Sequence, residues 1–167
     1  RIVDIGAQVG IVSCYLAKRY PTALVEAYER ITANYQRLVR NIEANGVTVA
    51  AHNLAVTADG RDIVLRGDLA TNSGGASMYA DGGTEYRAAS VSIDDLLSRP
   101  VALLKIDCEG AEYEILNRAM ETGMLKNVAA IRGEFHNVKI NRETIVNFDA
   151  FLAAVREFVP DTKVSVS

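Results

Sequence analysis

A chain of 167 residues, 49% hydrophobic and 23% charged, is long enough to bury one substantial core and too evenly composed to be disordered. Its net charge of −3 and isoelectric point near 5.4 leave no basic footprint for nucleic acid. No apolar run is long enough to span a bilayer and no signal-peptide pattern is visible, so a cytoplasmic protein is expected. Cys14 and Cys108, the two cysteines, have no metal-type spacing and are expected as reduced, buried thiols. The expected organisation is one domain over residues 1–167, trimmed at both ends, because the chain opens on Arg1 and enters a strand at once.

Residues 2–5 form a β-branched strand that runs through Gly6, Ala7, Gln8, Val9 and Gly10 into the apolar-periodic run 11–20. A strand passing through two glycines into a helix gathers unpaired backbone N–H groups and the positive end of a helix dipole at one place. That is a seat for a nucleotide-like ligand. Gly6 can take backbone angles closed to other residues, and Gly10 lets the first helical turn approach strand and ligand. Asp4 is a carboxylate among Ile and Val and requires partners, either the loop itself or a ligand ammonium. The dinucleotide fingerprint G-x-G-x-x-G is not met, because position 8 is Gln and the spacing is Gly6-x-x-x-Gly10.

Residues 23–28 read as a second strand closed by Glu29. An acidic residue in that place, about twenty residues past the glycines, accepts hydrogen bonds from ribose hydroxyls. A helix follows on the spacing of Tyr35, Leu38, Val39 and Ile42, with Thr32 or Asn34 as its cap and Gly46 as its stop. Residues 48–53 read as a third strand leading into Leu54, Ala55 and Val56, whose backbone would lie near an adenine ring in such folds. Asp59-Gly60, between 54–57 and 62–65, predicts a hairpin. The polar, glycine-rich stretch 66–85 is a lid, a binding loop or a plain linker. Residues 86–91 return as a strand, and Ser92, with Asp95 three residues on, starts a short helix that Pro100 ends.

Residues 101–106 form the next strong strand, and its carboxyl end carries Asp107, Cys108, Glu109, Gly110, Ala111 and Glu112. Ligands in open α/β sheets bind outside the carboxyl ends of strands, so three carboxylates there mark the second informative feature. Leu104 and Lys105 project to opposite faces by alternation, and Lys105 receives no role. A helix over 111–120, a strand over 128–131 continuing toward Glu134-Phe135-His136, a helix over 144–158 and a short strand over 163–166 complete the chain. The pattern is α/β: a Rossmann-like, doubly wound, mostly parallel sheet with an inserted antiparallel hairpin.

Asp4-Ile5-Gly6-Ala7-Gln8-Val9-Gly10, Tyr28-Glu29, Asn53-Leu54-Ala55-Val56, Leu104 through Glu112 and Glu134-Phe135-His136 resemble, in order and spacing, the FkbM-type methyltransferases that depend on S-adenosylmethionine (SAM). The resemblance covers almost the whole chain, and Asp107-x-Glu109-Gly110-x-Glu112 is its most specific block. It implies a class I methyltransferase fold with a seven-stranded sheet, and methyl transfer to a hydroxyl on a sugar or other natural-product scaffold. Gln8 stands where Asn is usual and Arg30 where proline is usual. The short C-terminus leaves no sequence for the usual closing strand pair, so an exposed sheet edge is expected.

On these grounds Asp4, Gly6, Gly10, Glu29, Asn53, Ala55 and Asp107 are the expected SAM-binding residues. Methyl transfer from a sulfonium depends chiefly on alignment in a site that excludes water. An alcohol gains from a base at hydrogen-bond distance, which points to His136, since an imidazole titrates in the useful range. Asp107 and Glu109 join it as catalytic candidates, acting through the cofactor's ammonium, the acceptor's hydroxyls or a divalent cation. No spacing compels a metal, and none is expected. Glu112 reads as a first-turn dipole partner or a brace for the loop. A small-molecule acceptor is the expected partner. An NAD-dependent oxidoreductase and a nucleotide-fold binding module without activity are the alternatives.

Overall fold

The computed structural model describes residues 1–67, 84–136 and 147–166. In chain order the elements are β1 (Ile2–Ile5), α1 (Ile11–Arg19), β2 (Val25–Tyr28), α2 (Thr32–Asn45), β3 (Ala50–His52), β4 (Ala55–Thr57), β5 (Ile63–Gly67), β6 (Thr84–Ala88) and β7 (Ser90–Ser92). They continue with α3 (Ile93–Leu96), β8 (Leu103–Ile106), α4 (Glu112–Glu121), β9 (Ile131–Phe135), α5 (Phe148–Phe158) and β10 (Thr162–Val166).

Six strands form one parallel sheet in the order β10-β9-β8-β1-β2-β3. A parallel sheet is covered on both faces, which is why Val3, Ala27, Leu104, Ile106, Ile131 and Phe135 are all fully buried. On one face Leu16 and Ala17 of α1 pack against Ile2 and Val25, and Leu38 of α2 packs against Ala7 and Ala27. On the other face Val3, Ile5, Leu104 and Ile106 share a core with Leu97, Ile115, Leu116 and Phe151. Alternation along the strands then sends Asp4 and Lys105, which are in register on β1 and β8, to the α1 side. The chain leaves β1 toward β2 and β3 and later returns to its other flank as β8, so strand order reverses between β1 and β8. That reversal is where open α/β sheets place ligands.

The implied seven-stranded sheet is six-stranded among the described residues, with β3 and β10 at its edges. Asp59-Gly60 does not close a hairpin. β4 pairs in parallel with β7, while β5 pairs antiparallel with β6. Thr57 Oγ1 accepts the Gly60 N–H and Asp59 Oδ1 the Arg61 N–H, so side chains satisfy the turn and the flanking segments diverge to other partners. The antiparallel pair is therefore present, but made by different strands.

Neither Thr32 nor Asn34 caps α2. Ile31 occupies the cap, and the Thr32 hydroxyl is turned to Asn53 instead. Ser92 caps α3 as expected, accepting the Asp94 N–H. The expected lid, binding loop or linker falls largely on residues 68–83, and the expected start of the last helix on 144–146, both outside the described residues. Cys14 and Cys108 are free and buried. No helix among the described residues is long and apolar enough to cross a membrane.

Candidate active site

Four neighbouring strands deliver residues to one edge of the sheet: Gly6 after β1, Glu29 after β2, Asp107 after β8 and His136 after β9. Gly6 has φ 79°, and a Cβ there would lie 1.8 Å from the Asp107 carbonyl oxygen. Only glycine lets these two loops touch. The Gly6 and Ala7 N–H groups both donate to Tyr28 O at 3.0 Å, which ties the glycine loop to β2. Gly10, also left-handed, is the cap of α1 and meets Leu38 closely.

Asp4 lies fully buried beneath this loop. Its Oδ2 accepts from Ser13 Oγ at 2.5 Å, and its Oδ1 has no hydrogen bond but lies 3.2 Å from the Lys105 ammonium. Lys105 Nζ also donates to Gly6 O at 2.8 Å and stands 3.6 Å from Asp107 Oδ2. Asp4 is tied to the glycine loop through Lys105, which contacts both its carboxylate and the Gly6 carbonyl. Sequence reading left Lys105 without a role. Its signal was a lysine alternating with apolar residues in a central strand, which is tolerable only where a buried carboxylate faces it.

Glu29 is buried, and each of its oxygens accepts a backbone N–H at 2.8 Å: Oε2 from Gln8, whose φ is 50°, and Oε1 from Ile31. It thus bridges the glycine loop to the start of α2 and keeps further lone pairs for a ligand. Asn53 donates to Glu29 O at 2.9 Å and accepts from Thr32 Oγ1 at 2.8 Å, bracing the end of β2 from below. Ala55 is buried and lines a second, much smaller pocket of ≈ 20 Å³ with Tyr28, Leu54 and Cys108.

The loop after β8 turns through left-handed angles at Glu109 (φ 60°) and Gly110 (φ 106°). Glu112, fully buried at the start of α4, accepts the Cys108 N–H at 2.7 Å and the Gly110 N–H at 2.9 Å, so the brace expected of it is present. His136 Nδ1 lies 3.0 Å from Glu112 Oε1, and its Nε2 lies 3.8 Å from both Asp107 Oδ1 and Glu109 Oε2. Burial pushes the Asp107 carboxyl above its ordinary value, opposed by the Lys105 and His136 charges and helped by Glu134 and Glu112. Burial also pushes the Cys108 thiol well up, which leaves it protonated and unsuited as a nucleophile. Asp107, Glu112 and His136 bring ligand-type atoms within 4.8 Å of one another. Glu112 Oε1 is shared by the Cys108 N–H and His136 Nδ1, so a hydrogen bond ties the imidazole to this group.

A cavity of ≈ 280 Å³, close to the lower bound for small-molecule sites, opens over the reversal point. Gly6, Gln8, Glu29, Lys105, Asp107 and Glu109 are among its lining residues. Of the expected site residues, Gly6, Glu29, Asp107 and Glu109 therefore meet in one place. Asp4 supports the floor, Gly10 starts the adjoining helix, and Asn53 and Ala55 serve the β4 side. His136 is not in the lining and adjoins it through Asp107 and Glu109. Gln8 and Arg30, the two positions that depart from the family pattern, also line the cavity. The wall carries the carboxylates of Glu29, Asp107 and Glu109 together with two cations, Arg30 and Lys105, the latter engaged with Asp4 and the Gly6 carbonyl. The carboxylates favour ligand groups that donate hydrogen bonds or carry positive charge.

The profile described as "Methyltransferase FkbM domain" matches residues 4–161. "Methyltransferase 1" of Beauveria bassiana (strain ARSEF 2860) is 26% identical over 141 residues, covering 69% of this chain and 56% of that protein. The chain thus spans about half the length of the curated relative it matches. No solved structure matches. With a match that runs from Asp4 under the glycine loop to Asp161 just ahead of β10, the chain belongs to the FkbM methyltransferase domain family.

Proposed function

We propose that this chain binds SAM and transfers its methyl group to a hydroxyl of a sugar-like or natural-product-like small molecule. The observation that carries the reading is the meeting of Glu29, Asp107 and Glu109 around one cavity at the carboxyl ends of β2 and β8. Acceptor-rich walls fit a cofactor that brings ribose hydroxyls, an ammonium and a sulfonium. When bound, SAM would supply an electrophilic methyl on positively charged sulfur. Glu29 would hold the ribose hydroxyls, the Gly6 to Gln8 loop would seat the rest of the nucleoside, and Asp107 and Glu109 would face the positive charge.

The chain's own chemical work is alignment and removal of one proton. His136 Nε2 stands beside Asp107 and Glu109, and neither carboxylate is within hydrogen-bond distance of it. An acceptor hydroxyl entering there meets a nitrogen lone pair and two carboxylates, all of which favour a proton donor. His136→Ala is expected to lower turnover by about a hundredfold or more, with SAM affinity nearly unchanged in calorimetry. Full turnover in a folded His136→Ala protein would remove the base assignment, and a greater loss in Asp107→Asn or Glu109→Gln would move the role to a carboxylate.

A further inference from the structure

Glu112 lies outside the cavity lining, yet it is fully buried and reaches both loops of the site. It holds the Cys108 and Gly110 N–H groups, which fixes the turn that presents Asp107 and Glu109. Its Oε1 also lies 3.0 Å from His136 Nδ1, on a different strand end. A carboxylate without its proton only accepts hydrogen bonds, so against such a partner Nδ1 would be the nitrogen that carries the hydrogen.

We propose that Glu112 is a positioning residue: it fixes the Nδ1–H tautomer and ring orientation of His136, leaving the Nε2 lone pair aimed at Asp107 and Glu109. The inference rests on the reading of His136 as the base. Nε2 is 3.8 Å from each of those carboxylates, too far for a hydrogen bond, so among the described residues neither carboxylate takes the place of an acceptor hydroxyl. When Nε2 takes that proton, the imidazolium forms among Glu112, Asp107 and Glu109, whose negative charges stabilise it. Because the same carboxylate shapes the loop after β8, the base and the two carboxylates facing it are held as one unit.

The direct test is nitrogen NMR of the imidazoles in the uniformly labelled protein. His52 and His136 are the two histidines, and His52, stacked on Tyr28 at 4.6 Å, serves as internal reference once His136→Ala assigns the signals. The neutral His136 ring should carry its hydrogen on Nδ1. In Glu112→Gln that preference should give way to a mixture of tautomers, and kcat should fall about 10- to 100-fold, as when a carboxylate behind a functional histidine is lost, with KM and SAM affinity changing far less. A hydrogen on Nε2 in the wild-type protein would overturn the proposal without reference to any variant. Wild-type tautomer and turnover in Glu112→Gln would overturn it equally. Full turnover in His136→Ala is a different result, which would remove the base itself rather than its positioning.

Discussion

Asp107 lines the cavity with a carboxylate that burial works against. Burial raises its carboxyl in the folded chain, so between the ordinary carboxylate value and the raised one the folded state binds more protons than the unfolded state. Stability is then fully present below the ordinary value and falls as pH rises toward the raised one. Asp107→Asn removes that loss. Thermal melts without ligand should show the variant more stable than wild type at neutral pH and level with it in acid, by a modest margin because the side chain is about a third exposed. A variant less stable than wild type at neutral pH would show that the Lys105 contact outweighs burial. Asp107 and Glu29 were legible in the sequence because a carboxylate ending an apolar strand stands out locally. Lys105 was not, since its meaning depends on register with Asp4, a contact across 101 residues of chain that alternation alone does not report.

At the scale of elements, the glycine loop and the loop after β8 are a single contact rather than two separate motifs. Gly6→Val would drive a side chain into the Asp107 carbonyl, so it should part the loops as well as obstruct the cavity. The expected outcome is a loss of about 1–3 kcal/mol in denaturant unfolding, typical of overpacking, together with loss of SAM binding. Wild-type stability and affinity would show that the loops do not meet in this way. The loop itself was readable because its determinants are local: a strand, two glycines and a helix. The Asp59-Gly60 turn was misread for the same reason, since a hairpin signal describes a turn and not the partners of its flanking strands. Those partners are β7 for β4 and β6 for β5, strands that come later in the chain and pair in parallel and antiparallel respectively.

For the whole molecule, alternation of apolar strands with amphipathic helices was enough to read a doubly wound sheet, and the order β10-β9-β8-β1-β2-β3 bears that reading out. What no periodicity could provide is which strand ends become neighbours, because strand order follows from packing of the two helical layers. That order brings Gly6, Glu29 and Asp107 from three separate stretches of sequence to one cavity, and leaves His136 one strand further along.

The central claim is that this cavity takes SAM, and titration calorimetry of the ligand-free protein tests it most directly. SAM and S-adenosylhomocysteine are expected to bind and NAD to fail, and Glu29→Ala should weaken SAM by about 1.5 to 3 kcal/mol, the range for hydrogen bonds to a charged group. Binding of NAD in preference to SAM, or an unchanged SAM affinity in a folded Glu29→Ala protein, would contradict it.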